Sequence, residues 1–346
     1  MGDLLVLGGT RFSGARLVEM AAAAGDRVTV FCRGESAPAR AVLELIESGR
    51  VERVVGDRDP RSGAGLAALE SLVRGGRRFD AVVDFSGYVP RVVRASAELV
   101  RPIATRYVFI SSISVYPFAE EGSPGEDAPV IELDDPAVEE VTGETYGGLK
   151  VLCERAVWDV FGSDATVVRP GLIVGADDMT DRFTYWVRRA AEGGAVLAPR
   201  DPAGRAGWID ARDLAAFVLR CARAGASGTF NACGPTDPIG IEAFVRAVGV
   251  ALGSSWSLAW ADPAWLAERG VRPWQDLPAW VPTETASMAR ASNRRALDAG
   301  LTLRPLAETV RDTDAWDAAR GRPALVTGLA RDRELVLIAQ LGTCAG

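Results

Sequence analysis

An apolar strand, Asp3–Leu7, runs directly into Gly8-Gly9-Thr10-Arg11-Phe12-Ser13-Gly14, where a helix begins. This order of strand, glycine turn and helix constrains the fold more than any other feature of the chain. Glycines let backbone N–H groups come close to an anion, and the helix N-terminus adds a favourable dipole. A plain tight turn would also use glycine, so the context decides. That context is regular alternation. Further strands are expected at Arg27–Cys32, Val51–Gly56, Phe79–Phe85, Tyr107–Ser111 and Ala165–Val168. Helices are expected at Ser13–Ala24, Ala41–Ser48, Leu66–Arg74, Arg91–Val100 and Glu144–Phe161. Such alternation with short connections predicts an α/β fold with a doubly wound parallel sheet and right-handed crossovers.

Beyond Pro170 the texture changes. Asp181–Ala191 reads as an aromatic-rich helix, Gly228–Ala232 as a late strand and Ile241–Leu252 as an amphipathic helix. Trp256, Trp260, Trp265, Trp274 and Trp280 fall in one proline-containing stretch, which suits a packed cap better than a regular sheet. The expected organisation is a dinucleotide-binding domain over 1–171, with 207–235 returning to it. A smaller C-terminal substrate-binding lobe comprises 172–206 and 236–320. A C-terminal extension, 321–346, contains an amphipathic helix over Thr327–Gln340.

Charge and cysteine usage narrow the function. A net charge of −7 disfavours a nucleic-acid surface. The five cysteines are scattered and odd in number, which points to free thiols and a cytoplasmic location. No apolar run approaches membrane-spanning length, and no leader precedes the first strand, so no membrane partner is expected. The complete absence of histidine excludes Ser-His-Asp hydrolysis, Cys-His proteolysis and His-ligated zinc in their usual forms. Proton transfer falls to Tyr, Lys, Cys or carboxylates.

One lysine stands among 39 basic residues, and it lies four positions after a tyrosine. The spacing Tyr146-x-x-x-Lys150 puts both side chains on one helix face, a turn apart. A compact ammonium there would favour the phenolate and lower the tyrosine pKa towards a range useful for proton transfer. Ser112, with Ser114 and Tyr116 following, lies at the carboxyl edge of the sheet, where open α/β folds bind ligands. Its hydroxyl can hold a substrate oxygen while Tyr146 moves the proton. At the end of the second strand, Cys32-Arg33-Gly34 has no acidic residue until Glu35. An acid there would bind the ribose diol of NAD, whereas arginine accepts a 2′-phosphate, so Arg33 and Arg11 together favour NADP over NAD. Asp57 and Arg58, after the third strand, are expected near the adenine edge. Ser86 and Gly87, with Tyr88, would pass the ribose.

These residues resemble a short-chain dehydrogenase/reductase of the extended or atypical type, the NAD-dependent epimerase/dehydratase superfamily. The match rests on Gly8–Gly14, Ser112-Ile113-Ser114-Val115-Tyr116, Tyr146–Lys150, Arg169-Pro170-Gly171 and the block Trp208–Ala215. It covers roughly residues 3–235 and implies a Rossmann-type fold. It also implies a catalytic triad of Ser112, Tyr146 and Lys150, and a nicotinamide bordered by Pro170 to Leu172. The cofactor set is then Gly8, Thr10, Arg11, Phe12, Gly14, Arg33, Asp57, Arg58, Ser86, Gly87, Tyr146, Lys150, Pro170 and Leu172.

Several departures shape the expectation. Arg11 occupies the middle glycine position of G-x-x-G-x-x-G, as in a Gly-Gly-Thr-Arg-Phe-x-Gly branch that includes chloroplast stem-loop RNA-binding proteins. Leu172 stands where nucleotide-sugar epimerases carry asparagine. Ala206 stands where they carry arginine, with Arg205 one place off. Substrate contacts are therefore expected from Ser114, Tyr88, Arg182 and Tyr185. The stretch Ala119–Glu144 holds ten acidic residues and no basic one. Near the site it would repel polyanions and favour neutral or amine-bearing substrates; elsewhere it is a solvated loop. The leading reading is an NADP(H)-preferring oxidoreductase acting on a carbonyl or secondary alcohol of a small molecule. The alternatives are an epimerase or dehydratase of a sugar or sugar nucleotide, and an RNA-binding protein on a dehydrogenase scaffold. A homodimer is left open.

Overall fold

The computed structural model describes residues 2–343, so Cys344 lies outside the described residues. The first half alternates strand and helix: β1 (Asp3–Leu7), α1 (Phe12–Ala23), β2 (Arg27–Cys32), α2 (Arg40–Glu47), β3 (Val51–Val55), α3 (Ala67–Arg74), β4 (Phe79–Asp84), α4 (Pro90–Val100), β5 (Ala104–Ile110), α5 (Tyr146–Phe161) and β6 (Ala165–Pro170). Then come β7 (Ile173–Val174), α6 (Thr184–Glu192), β8 (Gly194–Pro199), β9 (Arg205–Asp210), α7 (Ala211–Ala224), β10 (Gly228–Ala232), β11 (Gly234–Gly240), α8 (Ile241–Leu252) and β12 (Trp256–Ala261). The chain ends with α9 (Pro263–Glu268), α10 (Arg294–Asp298), α11 (Leu306–Ala319) and α12 (Arg331–Thr343).

A seven-stranded sheet in the order β10-β6-β5-β4-β1-β2-β3 forms the centre, and all its pairings are parallel. Every residue of β1 is buried, as a strand covered on both faces must be. Helices α1 and α7 pack together over one face, and α4 and α5 over the other. The strand order reverses between β1 and β4, which opens a crevice at their carboxyl ends. This is the expected Rossmann-type α/β arrangement, with α7 packed on α1 and β10 paired with β6 at the edge of the large sheet.

The second apolar core gathers α6, α8, β8, Trp280 and residues from α11 and α12. Here the sequence reading needs correction. Trp256–Ala261 is not an irregular cap; it is β12, paired in parallel with β8. Strands β11, β9 and β7 form a further small sheet that was not anticipated. The extension helix does form, as α12, and packs against β8. Its Glu334 is buried and accepts from the Leu197 amide at 3.0 Å while pairing with Arg189 at 2.7 Å.

Candidate active site

The glycine turn delivers its backbone to the crevice. Gly8 has φ +83, and a Cβ on it would lie 2.7 Å from Ser86 Cβ, so only glycine suits this approach. Phe12, at the first turn of α1, holds a left-handed φ of 46 despite its bulk. No side chain caps the N-terminus of α1, and its first turn carries no acid. Its first amides and dipole are therefore directed at the crevice, which fits an anionic group such as a pyrophosphate.

Two adjoining cavities open here and share Gly8, Arg11 and Tyr88. The first, about 350 Å³, is lined by Gly8, Thr10, Arg11, Arg33, Asp57, Arg58 and Ser86 among others. Arg33 lies at its exposed rim, 3.3 Å from Glu35. Arg58 differs from expectation, because its guanidinium is engaged inside the protein. It donates to Asp84 at 2.6 Å and Ser96 at 2.6 Å, while Tyr107 donates to the other Asp84 oxygen at 2.7 Å. Arg58 holds this cavity wall from behind and keeps the Asp84 carboxyl below its ordinary pKa against the effect of burial.

The second cavity, about 480 Å³, brings together Phe12, Gly14, Ser112, Ser114, Tyr146, Lys150, Pro170, Leu172 and Arg182. Helix α5 can begin beside the Ser112 turn because its first residues after Tyr146 are Gly147 and Gly148. A methyl group on Gly147 would overlap the Ser114 carbonyl oxygen. Ser112 accepts the Ser114 amide at 3.1 Å and donates to the Ser114 hydroxyl at 3.1 Å. One turn further along α5, buried Lys150 donates to the carbonyls of Gly87 and Ile110, each at 2.7 Å. Its Nζ also lies 5.0 Å from the Tyr88 ring centre and 4.5 Å from that of Phe109. Burial brings the Lys150 pKa down to about 8.

The expected depression of the Tyr146 pKa is not what this arrangement gives. Burial pushes the phenol above its ordinary value, and the neighbouring Ser112 hydroxyl and the Arg182 charge pull only partly the other way. Lys150 is held instead by the two carbonyls.

Tyr185 also departs from its expected place. It is fully buried in the C-terminal lobe, packed edge-on to Trp186 and beneath the Arg189 guanidinium, and it lines neither cavity. It lies on the apolar face of α6, where an aromatic residue packs the core. Ala206 is likewise buried, and Arg205 donates to the nearby carbonyls of Pro202, Ala203 and Gly204. None of the acidic residues of 119–144 lines either cavity. Several are engaged elsewhere, as Glu139 is with Arg91 and Asp127 with Arg295. The charge lining the second cavity is instead cationic from Arg11, Arg182 and Lys150, with Asp178 as the acid.

Sequence reading missed Glu154 and Asp178. Glu154 continues the Tyr146–Lys150 row one turn further and forms a buried bidentate pair with Arg169, at 2.9 and 2.6 Å. Arg169 also receives the Tyr116 oxygen as an acceptor at 2.7 Å. Arg169 thereby ties α5 to β6. The i, i+4, i+8 spacing of polar residues on a buried helix face could have revealed Glu154.

The sequence profile of the NAD dependent epimerase/dehydratase family matches residues 4–233. The chain belongs to this family. No curated protein matches it by sequence. Solved structures match over nearly its whole length. The WbmH enzyme of Bordetella bronchiseptica, in complex with NAD+, has a TM-score of 0.68 at 16% identity, covering 93% of this chain and 99% of its own. A UDP-glucose-4-epimerase from Stenotrophomonas maltophila, with bound NAD and formylated UDP-arabinopyranose, has a TM-score of 0.67 at 18% identity, with 94% and 100% covered. The dTDP-glucose 4,6-dehydratase DesIV of Streptomyces venezuelae, with NAD bound, has a TM-score of 0.65 at 20% identity, with 92% and 98% covered. At these identities the likeness shows a shared fold. Among the described residues no helix is long and apolar enough to cross a membrane.

Proposed function

We propose that this member of the NAD dependent epimerase/dehydratase family oxidises and reduces a secondary alcohol carbon of a small molecule, with Ser112, Tyr146 and Lys150 as its catalytic residues. The observation that carries the reading is their convergence on one cavity, opposite an uncapped helix N-terminus and a glycine cradle. A nicotinamide dinucleotide, when bound, supplies the site that accepts and returns hydride. The Gly8–Gly14 turn and the α1 N-terminus would hold its pyrophosphate, and the first cavity its adenosine end. Pro170 and Leu172 would border its nicotinamide.

The protein's own part is proton movement and positioning. Ser112 would turn its hydroxyl proton from Ser114 to the substrate oxygen when a substrate is bound, while still accepting the Ser114 amide. Tyr146 gives its phenolic proton to a carbonyl oxygen in the reducing direction and removes it from the alcohol in the oxidising one. Burial keeps the phenol in its neutral form, so the proton that the reducing direction requires is present on Tyr146. Lys150 places an ammonium at the end of β5, beneath the ring of Tyr88.

Between net oxidoreduction and internal return of hydride, the family and the folds it shares favour the second, epimerase- or dehydratase-like course. The case against a nucleotide-sugar substrate rests on Leu172 and Ala206. Arg182, which lines the cavity and forms no ion pair among the described residues, supports a polar or anionic substrate group. The case for NADP rests on Arg33 at the rim of the first cavity; the structural neighbours are bound to NAD.

Tyr146→Phe removes the proton carrier with one oxygen atom. Turnover should fall by about 10²–10⁴, as for loss of an acid–base group. Turnover close to that of the unaltered protein would overturn the role. Cofactor that stays bound, with no net change in its redox state as substrate is consumed, is expected for the internal course. Stoichiometric consumption of reduced cofactor would favour the reductase instead.

A further inference from the structure

The turn that carries Trp274 is clamped from two directions. Within it, the Asp276 carboxylate accepts the Arg272 amide at 2.8 Å, and the Asp276 amide donates back to the Arg272 carbonyl at 3.0 Å. From the C-terminal extension, the Gly328 and Leu329 amides donate to the carbonyls of Gln275 and Asp276, at 2.8 and 2.9 Å. Trp274 itself holds a left-handed φ of 64, which a bulky residue keeps only where its surroundings enforce it. Met288 is secured in a similar way. The neighbouring Ser287 donates its amide to the Ala119 carbonyl at 2.9 Å and accepts the Ala119 amide on its hydroxyl at 2.8 Å.

Both of these residues line the second cavity, together with Ile113 and Leu172. The same four side chains line an apolar recess of about 10 Å³ that continues from the cavity, so they form one contiguous wall. No charged side chain lines the recess, and the one thiol there, Cys233, donates to the Ala291 carbonyl at 3.2 Å. Trp274 and Met288 are only half-buried, so both keep surface that a ligand in the cavity can cover. Covering it with apolar atoms is favourable. An indole and a flexible thioether together accommodate a flat or puckered hydrocarbon ring. A pyrophosphate or a sugar would meet no charged or hydroxyl-bearing side chain along this wall.

We infer that Trp274, Met288, Leu172 and Ile113 form a subsite for a hydrocarbon ring of the substrate, with Trp274 as its specificity-determining residue. This rests on the reading of the cavity as the seat of Tyr146-dependent chemistry. The substrate is then amphipathic: its reacting oxygen goes to Ser112 and Tyr146, and an apolar ring next to the reacting carbon covers Trp274. The C-terminal extension acquires a role as well, since it holds the turn that presents the indole.

Three probes test this: 1-cyclohexylethanol, 1-phenylethanol and methyl α-D-glucopyranoside, the last a six-membered ring bearing hydroxyls. Their binding to NAD+-loaded and NADP+-loaded protein is measured by NMR titration. Single enantiomers of the two ring alcohols are followed for reduced cofactor by absorbance and for racemisation, which reports internal return of hydride, by chiral chromatography. The unaltered protein should bind both ring alcohols at least about tenfold more tightly than the glucoside, as expected for added hydrocarbon in an apolar pocket. Trp274→Ala should weaken their binding at least about tenfold, with dinucleotide binding retained as the control for an intact fold. Trp274→Phe should bring it back to within about threefold of the unaltered protein. Glucoside binding as tight as that of the ring alcohols, or no binding of either ring alcohol, would overturn the inference whether or not the variants fold. Ring binding that survives Trp274→Ala would overturn it too. Tyr146-dependent turnover of the glucoside in preference to the ring alcohols would leave the functional reading standing while this inference fails. Ring selectivity that depends on Trp274, with neither reduced cofactor nor racemisation, would do the reverse.

Discussion

The buried charges of the C-terminal lobe and the charges lining the second cavity are arranged on opposite principles. In the lobe, Arg188 on α6 donates twice to buried Asp317, at 2.7 and 2.6 Å, and again to the Pro323 carbonyl at 2.6 Å. Asp317 accepts from Arg320 as well, at 2.7 Å. Arg189 pairs with buried Glu334 of the terminal helix. Both arginines are answered by carboxylates of the lobe itself. In the cavity, by contrast, Arg11 and Arg182 form no ion pair among the described residues, Asp178 keeps one oxygen unmatched, and Lys150 leans on two neutral carbonyls. Charge that is matched internally closes a core. Charge left unmatched within a cavity is available to a ligand.

The largest test of this contrast is in the lobe. Asp317→Asn leaves Arg188 buried beside a neutral amide, and breaking such a pair costs about 3–5 kcal/mol. Chemical denaturation should show that loss, while turnover per folded molecule stays near its original level because Asp317 lines neither cavity. A stability loss under about 1 kcal/mol would mean that the lobe pair is no more structural than the cavity charges.

Lys150 tests the other side, with a smaller effect read against pH. Burial lowers its pKa from 10.5 to about 8, and the nearby Cys153, Asp84 and Glu154 offset this only in part. Below about pH 8 the lysine is charged in both folded and unfolded chains, and the folded state bears the full burden of that buried charge. From pH 8 to 10.5 the unfolded chain binds more protons than the folded one, so this residue's contribution to stability rises with pH. The stability of the unaltered protein relative to Lys150→Met should therefore increase across that window. A flat difference would show an ammonium as well matched as the lobe arginines.

The same contrast explains what could be read from the sequence. The strands and helices up to β6 follow from local periodicity, and their observed limits differ from the expected ones by a few residues. Gly8–Gly14 and Tyr146–Lys150 were legible because each lies within one turn or one helix face. The lobe was harder. Strands β8 and β12 are short and lie about sixty residues apart, so their parallel pairing leaves no local signature. Tyr185 was misplaced because an aromatic residue looks the same in sequence whether it packs a core or faces a ligand. Asp178 was invisible for a stronger reason. The turn that carries it is held through Asp177 and Asp181 by Arg16 of α1 and by Arg320, the residue after α11.

The smallest expected effect concerns Arg33, which is exposed at the rim of the first cavity and only loosely matched by Glu35 at 3.3 Å. A hydrogen bond to a charged group contributes about 1.5–3 kcal/mol when shielded from water. At an exposed rim the lower end applies, so Arg33→Ala should weaken NADP+ binding about tenfold and change NAD+ binding by less than about twofold. Calorimetric titration of cofactor-stripped protein with each dinucleotide measures both. If NAD+ binds more tightly from the outset and Arg33→Ala leaves the ratio unchanged, Arg33 belongs with the solvated surface charges. Glu35 is then the acid nearest the end of β2 that could read a ribose diol. If NADP+ binds more tightly and loses that advantage with the arginine, Arg33 joins Arg11 and Arg182 as a cation left unmatched for a ligand, and the cavity's design extends to its outermost residue.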